Sequence, residues 1–238
     1  MITITDEITV SEVARSFPAS IPVFQEYGID FCCGGAKRLG EACRDKGVSV
    51  GAFLAAVEKA QQSLAPSKAG DWSGTTVTEL IDHILSKHHS YLWAELPRLS
   101  EMLAKVIAVH GNRHSESLHA LDKIYARLKR ELEDHMWKEE NVLFPLIKRM
   151  DQARNGGEGR APGPSASDII QVMEFEHASA GNALKQMRQV TADYEAPHDA
   201  CNTYRALFAG FEVLESDLHE HIHLENNILF PRTLELEG

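Results

Sequence analysis

The chain predicts an all-α protein, a small helical N-terminal domain followed by an up-down four-helix bundle. Three observations carry that expectation. No stretch alternates between apolar and polar residues as a half-buried strand does. Beyond about residue 77 the apolar residues recur at steps of three and four along four long segments. Finally, two eleven-residue stretches, 135–145 (HMWKEENVLFP) and 221–231 (HIHLENNILFP), match at six of eleven positions. His89 precedes His135 by 46 residues and His177 precedes His221 by 44, so one helix pair occurs twice, as in a pseudo-symmetric bundle.

The elements follow in order. Ser11 to Arg15 opens a short helix, which Pro18 and Pro22 interrupt; Ile21 to Tyr27 forms another. Gly28 to Gly35 reads as a turn and Val50 to Gln62 as a further helix. Ala65 to Gly70 reads as a linker, so the domains are placed at 1–65 and 75–238. The small domain is too short for a large core and is expected to lean on a partner surface. The first long helix runs from Val77 to Ile107, with Thr75, Thr76 and Glu79 as its capping start and a kink at Pro97. The second runs from Glu116 to Met150, the third from a cap at Ser167 or Asp168 to Tyr194, and the fourth from Asp199 to Thr233. Asn155 to Ser165 is a loop. Short connections make sequential helices antiparallel neighbours.

Composition excludes several classes. At 238 residues, with 43% apolar and 25% charged residues, the chain is that of an ordinary globular protein. No apolar run reaches membrane-span length, and the N-terminus lacks the pattern of a signal peptide, so a cytoplasmic location and no membrane partner are expected. A net charge of −11 argues against a nucleic-acid partner. Four cysteines are too few and too scattered for a disulfide scaffold.

The chemistry lies in histidines and glutamates that interrupt the apolar rows. The second helix reads Leu121, Tyr125, Leu128, Leu132, His135, Glu139, Val142. The third reads Ile170, Met173, His177, Ala180, Leu184, Met187, and the fourth ends Leu214, Leu218, His221, Glu225, Ile228. His-x3-Glu puts an imidazole and a carboxylate on one helical face, one turn apart. Buried carboxylates are costly unless neutralised, and cations in the bundle centre neutralise both glutamates together. Four imidazoles and two carboxylates suit two ions bridged by Glu139 and Glu225, with iron preferred over manganese or zinc. On the first helix the apolar phase admits His89 or His88. His83, His88 and Glu174 are candidates for orienting the ligands from behind. His219 and His223 are expected to face solvent, and His110, His114, His119 and His198 to lie at the surface. Cys43 and Cys201 are expected to be buried or partly buried.

The His-x3-Glu repeats resemble a hemerythrin-like di-iron domain. The stretch 27–35 (YGIDFCCGG) resembles the adjacent-cysteine motif that precedes such a bundle in the RIC family, the di-iron proteins for repair of iron centres. The resemblance covers about 8–232. It implies metal ligands His89, His135, His177 and His221, bridging carboxylates Glu139 and Glu225, and a cofactor of two oxo- or hydroxo-bridged iron ions. It implies repair of iron-sulfur clusters damaged by nitric oxide or peroxide, by donation of iron from a labile centre. The partners are then damaged iron-sulfur proteins and small ligands such as nitric oxide or oxygen; a second copy of the chain is a further candidate. Cys32 and Cys33 take a thiol redox or iron-transfer role. Oxygen-carrying relatives have a second histidine where this chain has Gly181, which implies a more open site. Two alternatives stay open: a nitric oxide reductase, and an oxygen or nitric oxide sensor.

Overall fold

A computed structural model describes residues 5–63, 72, 74–156 and 165–237. Among them the all-α expectation is borne out: the chain is helical, with no strand and one isolated bridge between Thr9 and Arg38. It divides into two compact units, one of residues up to Leu80 together with His219–Leu236, the other Ile81–Leu218. The proposed linker Ala65–Gly70 and the loop residues 157–164 lie outside the described residues.

In the first unit, α1 (Val10–Ser16) starts at a capping box in which the Thr9 side chain accepts from the Glu12 amide and Glu12 answers the Thr9 amide. Pro18 begins a single 3-10 turn leading into α2 (Ile21–Glu26). A helix not expected from the sequence, α3 (Leu39–Asp45), precedes α4 (Val50–Ser63). Their apolar faces meet around Phe24, whose ring lies 5.8 Å from Phe31 and 4.7 Å from Phe53. The surface this small core leans on is not a partner's but the chain's own C-terminal segment, where Asn226 and Asn227 donate to the Cys32 and Phe31 carbonyls. Arg232 likewise donates to the Trp72 and Thr75 carbonyls.

The long helices are four arms. The first joins α5 (Val77–Ile84) to α6 (Ser90–His110), and α6 continues through Pro97. Thr76 and Glu79 cap it reciprocally, at 3.1 and 2.7 Å. The second joins α7 (Ser115–Lys138) to α8 (Phe144–Gly156). The third is α9 (Ala166–Val190), and the fourth joins α10 (Asn202–Leu224) to α11 (Phe230–Glu237). Within the second unit neighbours are antiparallel. Leu96 meets Tyr125 while His89 meets Glu139, and Ser179 meets Glu131 while His177 meets His135. Leu92, Leu99, Leu121, Leu128, Leu184, Phe211 and Leu214 build the shared core.

Several details correct the sequence reading. The third arm ends at Val190, because Ala192, Asp193 and Tyr194 all adopt positive φ (49°, 58° and 61°), which no helix tolerates. Its start is served by a distant group: the Glu237 carboxylate accepts from the Ala166 and Ser167 amides, each at 3.1 Å. Val142, placed in the core stripe, is 40% exposed, because the backbone leaves α-helical phase at Glu139. His110 is buried against Tyr204, their rings 5.3 Å apart. His114 is half-buried, whereas His119 and His198 are exposed as expected. Cys43 is buried, but Cys201 is exposed.

Candidate metal centre

Three arms carry a π-helical turn at a ligand position: Leu85–His89, Glu139–Leu143 and Glu225–Leu229. In each the next amide reaches back five residues, from Ser90 to the Leu85 carbonyl, Phe144 to Glu139, and Phe230 to Glu225. Pro145 and Pro231 supply the local reason in two of them. A helical proline lacks an N–H and crowds the carbonyl four residues back, which a widened turn accommodates. In the first arm the Ser90 hydroxyl instead donates to the Leu85 carbonyl, at 3.0 Å.

Within the second unit, Glu139 is fully buried and its two oxygens face different histidines. Oε2 lies 3.3 Å from His89 Nε2, and Oε1 lies 3.2 Å from His135 Nε2. His177 brings its Nε2 to 3.0 Å from His135 Nε2. The ligand atoms of His135, Glu139 and His177 all lie within 4.8 Å of one another. Two of the rings are also held from behind. His89 Nδ1 is 2.9 Å from Glu140 Oε1, which accepts from Trp93 Nε1 as well. His135 Nδ1 is 2.8 Å from Glu176 Oε2, and Lys138 pairs with the same carboxylate. Burial alone would raise the Glu176 carboxyl, but the His135 hydrogen bond and the Lys138 ammonium outweigh it and hold it at about 2. With Nδ1 engaged by carboxylates, Nε2 is the nitrogen turned toward Glu139, the arrangement by which metal-binding histidines are oriented.

In the first unit, His221 Nε2 and Glu225 Oε1 lie 3.0 Å apart, both essentially fully buried. This is the second His-x3-Glu pair.

The supporting candidates fare differently. His88 is buried, but its Nδ1 meets Asp217 at 2.9 Å, so His89 is the ring that faces Glu139. His83 is half-buried, edge-on to His88 at 5.8 Å. Glu174 is exposed, and Glu176, two residues on, makes the bond to His135. His223, expected at the surface, is 1% exposed. Burial lowers its pKa to about 4, so the ring is neutral at pH 7, and its Nδ1 lies 2.9 Å from Asn227 Nδ2. His219, also expected to face solvent, is half-buried with its ring 6.1 Å from Phe31.

Cys32 is buried and Cys33 exposed, both free, their sulfurs 3.7 Å apart. Asp30 Oδ1 shapes their turn by accepting from the Cys33 and Gly34 amides at 3.0 and 2.9 Å. The hydrogen bond to Cys33, with burial, pushes the Cys32 thiol well up. The ligand atoms of Asp30, Cys32 and Cys33 also fall within 4.8 Å of one another.

The donor set fits a cation: neutral-capable imidazoles and carboxylates, buried, converging, and with no thiolate among them. Comparison with known proteins agrees. Residues 80–233 match the family described as Hemerythrin HHE cation binding domain, and residues 6–61 match a domain of unknown function, DUF542. The "Probable iron-sulfur cluster repair protein" of Haemophilus influenzae is 38% identical over 228 residues, 94% of this chain and 96% of that one. The "Iron-sulfur cluster repair protein YtfE" of Pectobacterium carotovorum is 36% identical and that of Yersinia pseudotuberculosis 37% identical, each covering 95% of this chain and 96% of the relative. Among the described residues no helix is long and apolar enough to cross a membrane. With a cation-binding domain matched over most of its length and such relatives matched nearly end to end, the chain belongs to the hemerythrin HHE family of proteins that carry a DUF542 domain.

Proposed function

We propose that the protein repairs iron-sulfur clusters damaged by nitrosative or oxidative stress, in the cytoplasm, by supplying iron from a labile pair of ions. His89, His135, His177 and His221 are the proposed imidazole ligands, with Glu139 and Glu225 as bridging carboxylates. The N-terminal domain, 1–65, would then carry the thiols Cys32 and Cys33 for iron transfer or redox chemistry, and 75–238 would form the di-iron bundle. The observation that carries the reading is Glu139, a fully buried carboxylate whose two oxygens address two different imidazoles. That disposition suits two cations rather than one. The relatives' names supply the repair role. Iron held this way is a nitrogen- and oxygen-ligated ion that a thiolate-rich acceptor can take up.

The chain's own residues orient and bury the ligands. Glu140 and Glu176 fix the rings of His89 and His135. Glu139 is fully buried, and a charge buried there is costly unless neutralised, which favours cation binding. Glu139→Leu or Glu225→Leu should lower iron content and abolish repair of a nitric-oxide-damaged [4Fe-4S] client. Full repair by an iron-free variant would reject the proposal.

A further inference from the structure

In the first compact unit, the turn that presents Glu225 also grips the cysteine loop. Asn226 Nδ2 donates to the Cys32 carbonyl at 3.4 Å, and Asn227 Nδ2 donates to the Phe31 carbonyl at 3.2 Å. Asn227 Nδ2 also lies 2.9 Å from His223 Nδ1, and the buried His223 ring sits 5.6 Å from the Phe31 ring. The loop is also closely fitted at Gly35. A Cβ on Gly35 would stand 2.8 Å from the Ser11 Cβ and 3.3 Å from Asn227 Oδ1. The backbone that carries the two thiols is thus held by the residues immediately following Glu225.

The first copy of the repeat shows that this is a divergence and not a by-product of the motif. Its equivalent positions are Glu140 and Asn141. Glu140 orients His89, while Asn141 Nδ2 donates back to the Trp137 carbonyl of its own helix at 2.8 Å. In both copies the asparagine amide reaches the residue four positions back, but in the second it also donates to the cysteine loop.

We propose that Asn226 and Asn227 are positioning residues that tie the Cys32–Cys33 loop to the Glu225 turn, so that metal occupancy at Glu225 is felt at the exposed Cys33 thiol. The inference rests on the iron-holding part of the reading above, not on repair.

The test follows Cys33 alkylation by mass spectrometry in the full-length chain, with the exposed Cys201 as internal reference, metal-free and after loading with ferrous iron. In the native chain, iron should change the Cys33 rate by about fivefold or more. Asn227→Ala should keep its iron yet lose that response. Gly35→Ala, whose added methyl crowds Ser11 and the Asn227 amide oxygen and so displaces the loop with both asparagines still present, should lose it too and serves if the first variant fails to fold. Asn141→Ala should respond as the native chain does. A native-like response in both Asn227→Ala and Gly35→Ala overturns the proposal, as does a native chain whose Cys33 ignores iron. Because none of these readouts is repair, a chain that binds iron, shows the response and repairs nothing would remove the functional reading and leave the positioning role standing.

Discussion

At the scale of residues, the candidate ligands His89 and His135 are oriented by carboxylates, Glu140 and Glu176, that meet the ring nitrogen turned away from Glu139. Glu176 holds His135 by its Nδ1, and losing such an orienting partner typically weakens metal binding about 10- to 100-fold. Glu176→Ala should therefore lower iron affinity by that order in competition with a chelator, while Glu174→Ala, at an exposed position, should change nothing. The cysteines should separate in the same quantitative way. Exposed Cys33 and Cys201 should react with iodoacetamide well before buried Cys32 and Cys43, and Cys32 should stay slow until well above neutral pH because its thiol is raised. A Cys32 that labels as fast as Cys33 at pH 7 would contradict this. The candidate ligands of the later helices were legible in the sequence, since a histidine or glutamate standing where leucine belongs is visible in the helical period alone; on the first helix that period left His88 and His89 both open. The orienting partners were not legible. Whether Glu174 or Glu176 reaches His135 depends on how α9 is rotated against α7, and no local pattern encodes that rotation. The burial of His110 and His223 was hidden for the same reason, each being covered by residues distant in sequence.

At the scale of elements, the three π turns set which side chains face inward. They shift the phase after Glu139, which is why Val142 turns outward although it continues the apolar period. The sequence held one signal for them: a proline six residues after each glutamate, at Pro145 and Pro231, inside an otherwise unbroken helical pattern. The turn ending at His89 has no such marker. Packing between arms is equally specific. A Cβ on Gly210 of α10 would stand 2.6 Å from Leu99 Cδ2 of α6. Gly210→Ala gains helix propensity of roughly 1 kcal/mol, but overpacking typically costs about 1–3 kcal/mol. The net should be destabilising in urea denaturation, and a more stable variant would show that the two helices can part at no expense.

At the scale of the whole molecule, burying Glu139 and Glu225 among apolar neighbours makes metal binding and stability one problem. Ions that bind the folded chain alone stabilise it by about 2.7 kcal/mol at a hundredfold excess over Kd, which for a chain of this size raises Tm by about 5–10 °C. Ferrous iron should produce that rise in calorimetry, and chelation should reverse it. Glu139→Leu should abolish the rise without lowering the Tm of the metal-free protein, because it removes a buried charge rather than a packing contact. A metal-free Glu139→Leu protein that melts well below the metal-free native chain would mean that the carboxylate is structural. The most direct measurement is metal analysis, with an optical spectrum, of protein freshly isolated from iron-replete cells. About two irons per chain with oxo-bridge absorption, lost in Glu139→Leu, is the predicted result. Native protein without iron, or a Glu139→Leu variant with its full complement, would contradict it.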